Sequence, residues 1–331
     1  MTTDYRLLKN CVKVGLIGTG YAAEKRAEAF INHPQSELVA VVGNSQEKTR
    51  NFCTRFNIEE ISSWQEMLNH PQIDLICICN INREHGTIVK NALLADKHVI
   101  VEYPLTNNPE EAEELIKLAQ AKQKLLHVEH IEILGGVHQA IKQHLAEIGT
   151  PFLARYSTIV QKSKTLPHWT YSYEDYGFPF IAALSRINRF IDLFGKVDTV
   201  SCQGRFWDAL ELGYFSACYT QAELKFQNDM LVTLTYGKGD KFPISDRTLE
   251  IHGEKGTLRF VGEKGKIIRG KEEIEIEVGS RRGLFSRDTE IVLQHLFAGT
   301  PLYIDNNQSV YSLKVAGAVF QAYQEKRFVR V

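Results

Sequence analysis

The sequence predicts two architectures in one chain, α/β in its first part and α+β in its second. Three observations carry this expectation. From Cys11 to His130, short apolar runs alternate with stretches of helical period, the signature of βαβ units and a parallel sheet. A Gly-x-Gly-x-x-Ala turn directly follows the first of those runs. Beyond about residue 150 the runs lengthen, and some alternate polar with apolar residues between Gly-rich stretches, as in an antiparallel sheet with one wet face.

In chain order, residues 12–17, 38–42, 74–79, 97–101 and 124–127 read as strands. Several are apolar at consecutive positions, as expected where helices cover both faces of a doubly wound sheet. Between them Ala23, Ala27, Phe30 and Ile31 recur at helical spacing, as do Ala112, Leu115, Ile116 and Ala119. Asn108 as cap, Pro109 in the first turn and Glu111 behind it announce the second of these helices. A helix is expected over 136–147, followed by strands over 152–160, 197–207, 217–226 and 231–236. Turns are expected at Gly237-Lys238-Gly239, Gly253-Glu254-Lys255-Gly256 and Gly262-Glu263-Lys264-Gly265, and a last helix over 309–325. At roughly 150 residues per domain, 331 residues make two domains, with the expected boundary after residue 130: a nucleotide domain over 1–130 and a substrate domain over 131–331.

Composition narrows the function. Hydrophobic residues make up 44% and charged residues 24%, which places the chain with ordinary globular proteins and away from disorder. Lys plus Arg number 39 against 40 for Asp plus Glu, so bulk charge gives no attraction to nucleic acid or anionic lipid, and neither is expected as a partner. No uncharged apolar run approaches the roughly 18 residues of a spanning helix, and the first residues lack the apolar block of an export signal. The expectation is a soluble, cytoplasmic protein. Cys11, Cys53, Cys77, Cys79, Cys202 and Cys218 form no CxxC pair and suit reduced, buried thiols.

The turn Gly18-Thr19-Gly20-Tyr21-Ala22-Ala23 joins a strand to a helix start. Small residues are needed there because the backbone must turn tightly and approach a pyrophosphate, whose charge then rests on free N–H groups at the helix N-terminus. This is the arrangement of a Rossmann dinucleotide site. At the end of the second strand an Asp or Glu would hold the adenine ribose of NADH. The sequence instead reads Val42-Gly43-Asn44-Ser45-Gln46-Glu47-Lys48-Thr49-Arg50, where Asn44, Ser45 and Lys48 suit a ribose phosphate. NADPH is therefore favoured over NADH, although Lys48 and Arg50 also suit a solvated helix face.

Further motifs follow at Asn80-Ile81-Asn82-Arg83-Glu84-His85 and at Val99-Ile100-Val101-Glu102-Tyr103-Pro104. With the glycine turn, they resemble the glucose-fructose oxidoreductase and inositol dehydrogenase family, whose members pair a Rossmann domain with a large open antiparallel sheet. In that family the segment matching Glu102-Tyr103-Pro104 usually reads Glu-Lys-Pro, its Lys aiding oxidation of a sugar hydroxyl. Here Tyr103 stands in its place. Ile181 and Ser185 align with the family's catalytic Asp and His, and no histidine occurs between His168 and His252. Removing hydride from an alcohol needs a base for the hydroxyl proton, so these losses argue against sugar oxidation while leaving hydride delivery possible.

The Glu-Tyr-Pro variant, together with Leu126-His127-Val128-Glu129-His130-Ile131-Glu132, Gly177-Phe178-Pro179, Ser185-Arg186, Phe206-Trp207-Asp208, Tyr236-Gly237-Lys238-Gly239 and Gly279-Ser280-Arg281-Arg282, resembles the biliverdin reductases within that family, especially cyanobacterial ones. The resemblance implies NADPH as hydride donor and biliverdin as substrate, reduced at its central methine bridge to bilirubin. It implies cofactor contacts from Gly18, Thr19, Gly20, Tyr21, Ala22, Asn44, Ser45, Lys48, Asn80, Ile81, Asn82, His85, Glu102 and Tyr103. Catalytic residues would be Arg186, Tyr103 and Glu102, and substrate contacts Tyr103, Glu129, His130, Arg186 and Arg189. For Arg186 the alternative is a structural ion pair, and for Tyr103 a buried, satisfied hydroxyl. His127, Glu129, His130 and Glu132 lack the Cys or further His of a metal site, and no metal is expected. Two other functions stay open: a sugar or cyclitol oxidoreductase with a relocated proton relay, and an NADP(H)-binding sensor without turnover. The wet face of the second sheet leaves monomer and homodimer both open.

Overall fold

The structure is a computed structural model that describes residues 11–161 and 167–331. Over those residues the chain divides into two units, one running through Ile131 with Gly283–Val310 added, the other Glu132–Arg282 with Tyr311–Val331. The stretch Gly283–Val310, which the expected boundary placed with the second domain, thus groups with the first. Among the described residues no helix is long and apolar enough to cross a membrane.

In the first unit, strands β1 (Val12–Ile17), β2 (Ser36–Val42), β3 (Glu59–Glu60), β4 (Leu75–Ile78), β5 (His98–Val101) and β6 (Leu126–Val128) form one sheet in the order β3-β2-β1-β4-β5-β6. Every pair is parallel. All residues of β4 and β5 are buried, which explains why their sequences do not alternate. The helices are α1 (Tyr21–Ile31), α2 (Gln46–Phe56), α3 (Trp64–Leu68), α4 (Asn82–Leu94), α5 (Pro109–Ala121) and, from later in the chain, α10 (Leu284–Ala298). As the sequence predicts, Asn108 caps α5 by accepting from the Glu110 N–H at 2.9 Å, with Pro109 in the first turn. Helix α10, not foreseen from the sequence, belongs here because Val292, Leu293 and Leu296 join Val12, Val14, Ala27 and Phe30 in one core. The strand order reverses direction between β1 and β4, and ligands of such sheets bind beyond the carboxyl ends at that point.

One inward position of α1 is not apolar. Arg26 is fully buried beside Ala23, Ala27 and Phe30. Its Nε donates to Glu102 Oε1 at 3.0 Å, and its Nη1 donates to Asp288 Oδ2 and to Thr289 Oγ1. Asp288, on α10, also accepts from His127 Nε2 at 2.8 Å and from the Tyr303 hydroxyl at 2.6 Å. Burial acts to raise the Asp288 carboxyl, but Arg26 and His127 outweigh it and hold the group well below the usual carboxylate range. The network ties α1, the end of β5, β6 and α10 together.

The second unit is built on strands β7 (Pro151–Val160), β8 (Val197–Asp208), β9 (Phe215–Phe226), β10 (Leu231–Gly239), β11 (Asp246–Gly253), β12 (Gly256–Val261), β13 (Lys264–Arg269), β14 (Glu272–Ile276) and β15 (Val329–Arg330). They form a nine-stranded sheet in the order β14-β13-β12-β11-β7-β10-β9-β8-β15. The expected antiparallel pattern holds except between β7 and β10, which run parallel. Helices α6 (Gly136–His144), α7 (Tyr173–Tyr176), α8 (Pro179–Ala182) and α9 (Ser185–Phe194), with α11 (Asn306–Glu325) from Tyr311 onward, complete the unit. Helices α7 to α9 and strands β8 and β9 lie between β7 and β10 in sequence, a connection long enough to permit parallel pairing.

One expected turn is absent. Gly237-Lys238-Gly239 is the buried end of β10. A Cβ on Gly237 would lie 2.7 Å from the Phe242 ring, and one on Gly239, at φ +114°, 2.3 Å from the Ser216 carbonyl oxygen. These glycines mark close approach of neighbours rather than a chain reversal. The other two Gly-rich stretches are hairpin turns joining β11 to β12 and β12 to β13.

Arg26→Met leaves Asp288 buried without its guanidinium, and breaking such a pair costs about 3–5 kcal/mol. Urea unfolding followed by circular dichroism should show that loss, and Arg26→Met with Asp288→Asn should recover part of it.

Candidate functional site

In the first unit the glycine turn follows β1. Gly18 adopts φ +119°, and a Cβ there would lie 2.5 Å from the Cys79 carbonyl oxygen, so the position excludes any larger residue. Gly20 is the N-cap of α1 and supplies no side-chain hydrogen bond to it. A Cβ on Gly20 would meet nothing within 4 Å. The first N–H groups of α1 thus end beside open space, as anion binding requires. Tyr21 is 73% exposed and meets Phe285 edge to face. Ala22 is half-buried, and Ala23, the third small residue of the motif, is fully buried.

Beyond β2, Asn44 and Lys48 are exposed. Ser45 caps α2, its hydroxyl accepting from the Lys48 N–H. Gly43 is pressed between Thr19 and Thr49, where a Cβ would fall within 2.7 Å of each. That contact sets the tip of β2 against the glycine turn.

Beyond β4 and β5, the expected cofactor residues form a mutually supporting group. Asn80 Nδ2 donates to Glu84 Oε2 at 2.6 Å. Ile81 is the N-cap of α4, without a side-chain capping bond, and Asn82 is buried. His85 is buried with Nδ1 2.8 Å from the Pro104 carbonyl oxygen and Nε2 3.3 Å from that of Asn80. Burial lowers its pKa, so the neutral ring has one proton to donate, and the shorter contact, to the Pro104 carbonyl, takes it. The Glu102 carboxylate is held by Arg26. Tyr103 is half-buried, and its ring stacks on His130 at 5.7 Å with 12° between planes.

Glu129 and His130 are 1% and 0% exposed. Burial, and then the charge of Glu102, push the Glu129 carboxyl well up, while it accepts from the Ile131 N–H. His130 donates its backbone N–H to the Tyr303 hydroxyl at 3.0 Å, and its Nε2 lies 2.9 Å from Ser309 Oγ. Burial and His127 push its pKa down to about 3, so the ring under Tyr103 is neutral. These two residues support Tyr103 and the chain at Ile131 rather than presenting charge at a surface. Among the described residues, no three His, Cys, Asp or Glu side chains gather as metal ligands.

In the second unit α9 carries Arg186 and Arg189, three apart and so on one face. Arg186 is half-buried, donates from Nη1 to Ser185 Oγ at 2.9 Å, and lies 5.8 Å from the centre of the Tyr236 ring. The Tyr236 hydroxyl is 2.7 Å from that of Tyr176. Arg189 is 3% exposed and pairs through Nη2 with Glu132 Oε2 at 3.2 Å. Arg281 Nη2 reaches Glu132 Oε1 at 2.5 Å and Arg247 approaches Oε2 at 3.8 Å. Burial would raise the Glu132 carboxyl, but Arg189, Arg281, Arg186 and Arg247 together lower it. Ile181 and Ser185 are buried and offer no carboxylate or imidazole.

Sequence reasoning missed Arg26, Asp288, Tyr303 and the buried Lys238. A signal for Arg26 was present, since it lies three residues after Ala23 and four before Phe30 on a helix face that is otherwise apolar. Lys238 lay in the stretch read as a turn. Its Nζ sits 3.5 Å from the centre of the Tyr176 ring and 4.8 Å from that of Tyr171, and donates to the Thr170 carbonyl oxygen. Tyr171 and Tyr176 are buried, whereas Tyr173 is 40% exposed.

Comparison with known proteins agrees with this anatomy. Residues 12–130 match the description "Oxidoreductase family, NAD-binding Rossmann fold", and residues 139–331 match "Oxidoreductase family, C-terminal alpha/beta domain". The chain belongs to this GFO/IDH/MocA oxidoreductase family. It is similar to the biliverdin reductase of Synechocystis sp. PCC 6803, crystallised in complex with biliverdin and NADP+, with 50% identity and a TM-score of 0.93 over 95% of this chain and 99% of that one. It is also 26% identical to human biliverdin reductase A over 86% of this chain and 85% of that protein. An NAD-binding oxidoreductase from Klebsiella pneumoniae shares the fold at 18% identity and a TM-score of 0.80, over 98% of this chain and 99% of that one.

Burial pushes the Lys238 amine down to about 7 from an ordinary 10.5. Between those values the unfolded chain holds a proton that the folded chain lacks, so stability rises with pH across the window, by up to about 1.4 kcal/mol per unit. Melting temperatures from pH 6.5 to 9.5 should show this rise in the wild type relative to Lys238→Met. Parallel curves for the two proteins would contradict it.

Proposed function

We propose that this chain catalyses the NADPH-dependent reduction of biliverdin to bilirubin. The observation that carries this reading is its 50% identity, along nearly the whole chain, to a protein crystallised with biliverdin and NADP+. The nucleotide is assigned to residues 1–130 and the bilin to 131–331. The first unit suits NADPH, because Gly18 and Gly20 keep the α1 N-terminus open for a pyrophosphate and Asn44 and Lys48 are exposed beyond β2. With no acid at the β2 tip to repel a ribose phosphate, Lys48 supplies the matching charge. When bound, NADPH supplies the hydride that converts the central methine carbon of biliverdin to a methylene, while a proton goes to a pyrrole nitrogen.

The protein's part is placement and charge. Thr19, Tyr21 and Ala22 with the turn, and Asn80, Ile81 and Asn82 beyond β4, line the nucleotide, and His85 donates to the Pro104 carbonyl behind it. Glu102, fixed by Arg26, orients the backbone before Tyr103. Tyr103 donates a hydrogen bond and offers its ring to the pigment, supported by His130 and Glu129. Arg186 stabilises the electron distribution of the protonated bilin and helps deliver the proton, with Arg189 beside it. Ile181 and Ser185 lack the proton acceptor that alcohol oxidation needs. We further assign the chain to the cytoplasm, as a monomer or homodimer without a nucleic-acid or membrane partner, consistent with its net charge of -1.

An absorbance time course with biliverdin and NADPH tests the reading: the red band of the green pigment should fall as the blue band of a yellow product grows. Turnover of inositol or glucose with NADP, and none of biliverdin, would overturn it. Lys48→Ala should raise the KM for NADPH about 10-fold, as expected for loss of one hydrogen bond to a charged group, and leave the NADH value unchanged. Arg186→Ala should lower kcat about 100-fold, the lower range for a positioned proton-transfer group, and Tyr103→Phe about 10-fold. Near wild-type turnover and pigment affinity in Arg186→Ala would remove that residue from the mechanism.

A further inference from the structure

Glu132, Tyr156, Arg189, Arg247 and Arg281 line a small cavity in the second unit, with Gly136 at the start of α6. Three guanidiniums face one carboxylate. Glu132 accepts from Nη2 of Arg189 and Nη2 of Arg281, yet Arg189 Nε and Nη1 are also buried and have no acceptor among the described residues. A buried charged donor left unsatisfied is costly, which points to a missing acceptor.

A second positive element borders the same space. Helix α6 has nine residues, and its cap, Gly135, gives no side-chain hydrogen bond, so the N–H groups of its first turn carry the positive end of the helix dipole. A Cβ on Gly136 would lie 1.8 Å from the Gly279 carbonyl oxygen. Only glycine lets that backbone cross the first turn of α6, and the crossing segment leads two residues on to Arg281. The cavity offers about 20 Å³, against the 10–15 Å³ or so that one water needs. That suits a group near water size, and donors on several sides favour an acceptor with two oxygens over a monatomic ion.

We propose that this cavity seats one small carboxylate, held by Arg189, Arg281 and the α6 N-terminus, with the more exposed Arg247 adding charge and Glu132 fixing the guanidiniums. The carboxylate comes either from a propionate arm of the bilin, a source that rests on the function proposed above, or from a free small acid.

Isothermal titration of the full chain with sodium formate, in chloride-free buffer at constant ionic strength, tests the site. Saturable one-to-one binding is expected, weakened at least 10-fold in Arg281→Gln and unchanged in Arg282→Gln, whose exposed side chain does not line the cavity. Arg247→Gln serves as the second variant if Arg281→Gln does not fold. Displacement of formate by biliverdin but not by biliverdin dimethyl ester identifies the propionate as occupant. Formate that stays bound beside biliverdin identifies a separate acid. Heat that does not saturate, or that the Arg281 and Arg282 variants change alike, overturns the site. Failure of biliverdin turnover leaves the formate isotherm standing, so the two proposals fail separately.

Discussion

Arg26 stands at full burial on the inner face of α1, where its inward neighbours are Ala23, Ala27 and Phe30. A guanidinium cannot stay charged in such a place without acceptors, and it cannot shed its proton. Asp288 and Glu102 supply them, and each choice propagates. Arg26 thereby fixes Glu102, the residue before Tyr103. Asp288 fixes His127 and Tyr303, and through the Tyr303 hydroxyl the backbone of His130, on whose ring Tyr103 stacks. The geometry around Tyr103 therefore depends on one guanidinium on an inner face of α1 that is otherwise apolar.

The second unit treats its charges differently. Around Glu132 arginines outnumber carboxylates, and Arg189 is buried with donors to spare. Lys238 is enclosed by aromatic rings and a carbonyl oxygen, with no acid in contact among the interactions described. Burial without a carboxylate partner pushes the Lys238 amine down. Where the first unit pairs its buried cation with carboxylates, the second leaves donors of Arg189 unmatched among the described residues.

Much of the fold was legible because its signals are local. Five of the six parallel strands, the glycine turn and the Asn108 cap followed from periodicity and from residues whose backbone roles are narrow. The exceptions share a cause. Gly237 and Gly239 look like turn residues in isolation, and only Phe242 and Ser216, brought up by the sheet, show why they end a strand. The parallel pairing of β7 with β10 depends on a return path that no local pattern encodes. At the site, Gly18, Gly20 and Tyr103 were legible from motifs, while Asp288 was not, because its significance lies in a contact 262 positions away in sequence.

That separation has a consequence during synthesis. At about 5–20 residues per second, Asp288 leaves the ribosome roughly 13–50 s after Arg26, and the core of the parallel sheet also awaits Val292, Leu293 and Leu296. Through that interval the nascent first unit carries an arginine whose buried carboxylate partner does not yet exist. Its αβ layers can assemble loosely, but their tight closure is deferred until the chain returns, so the unit translated first is completed among the last.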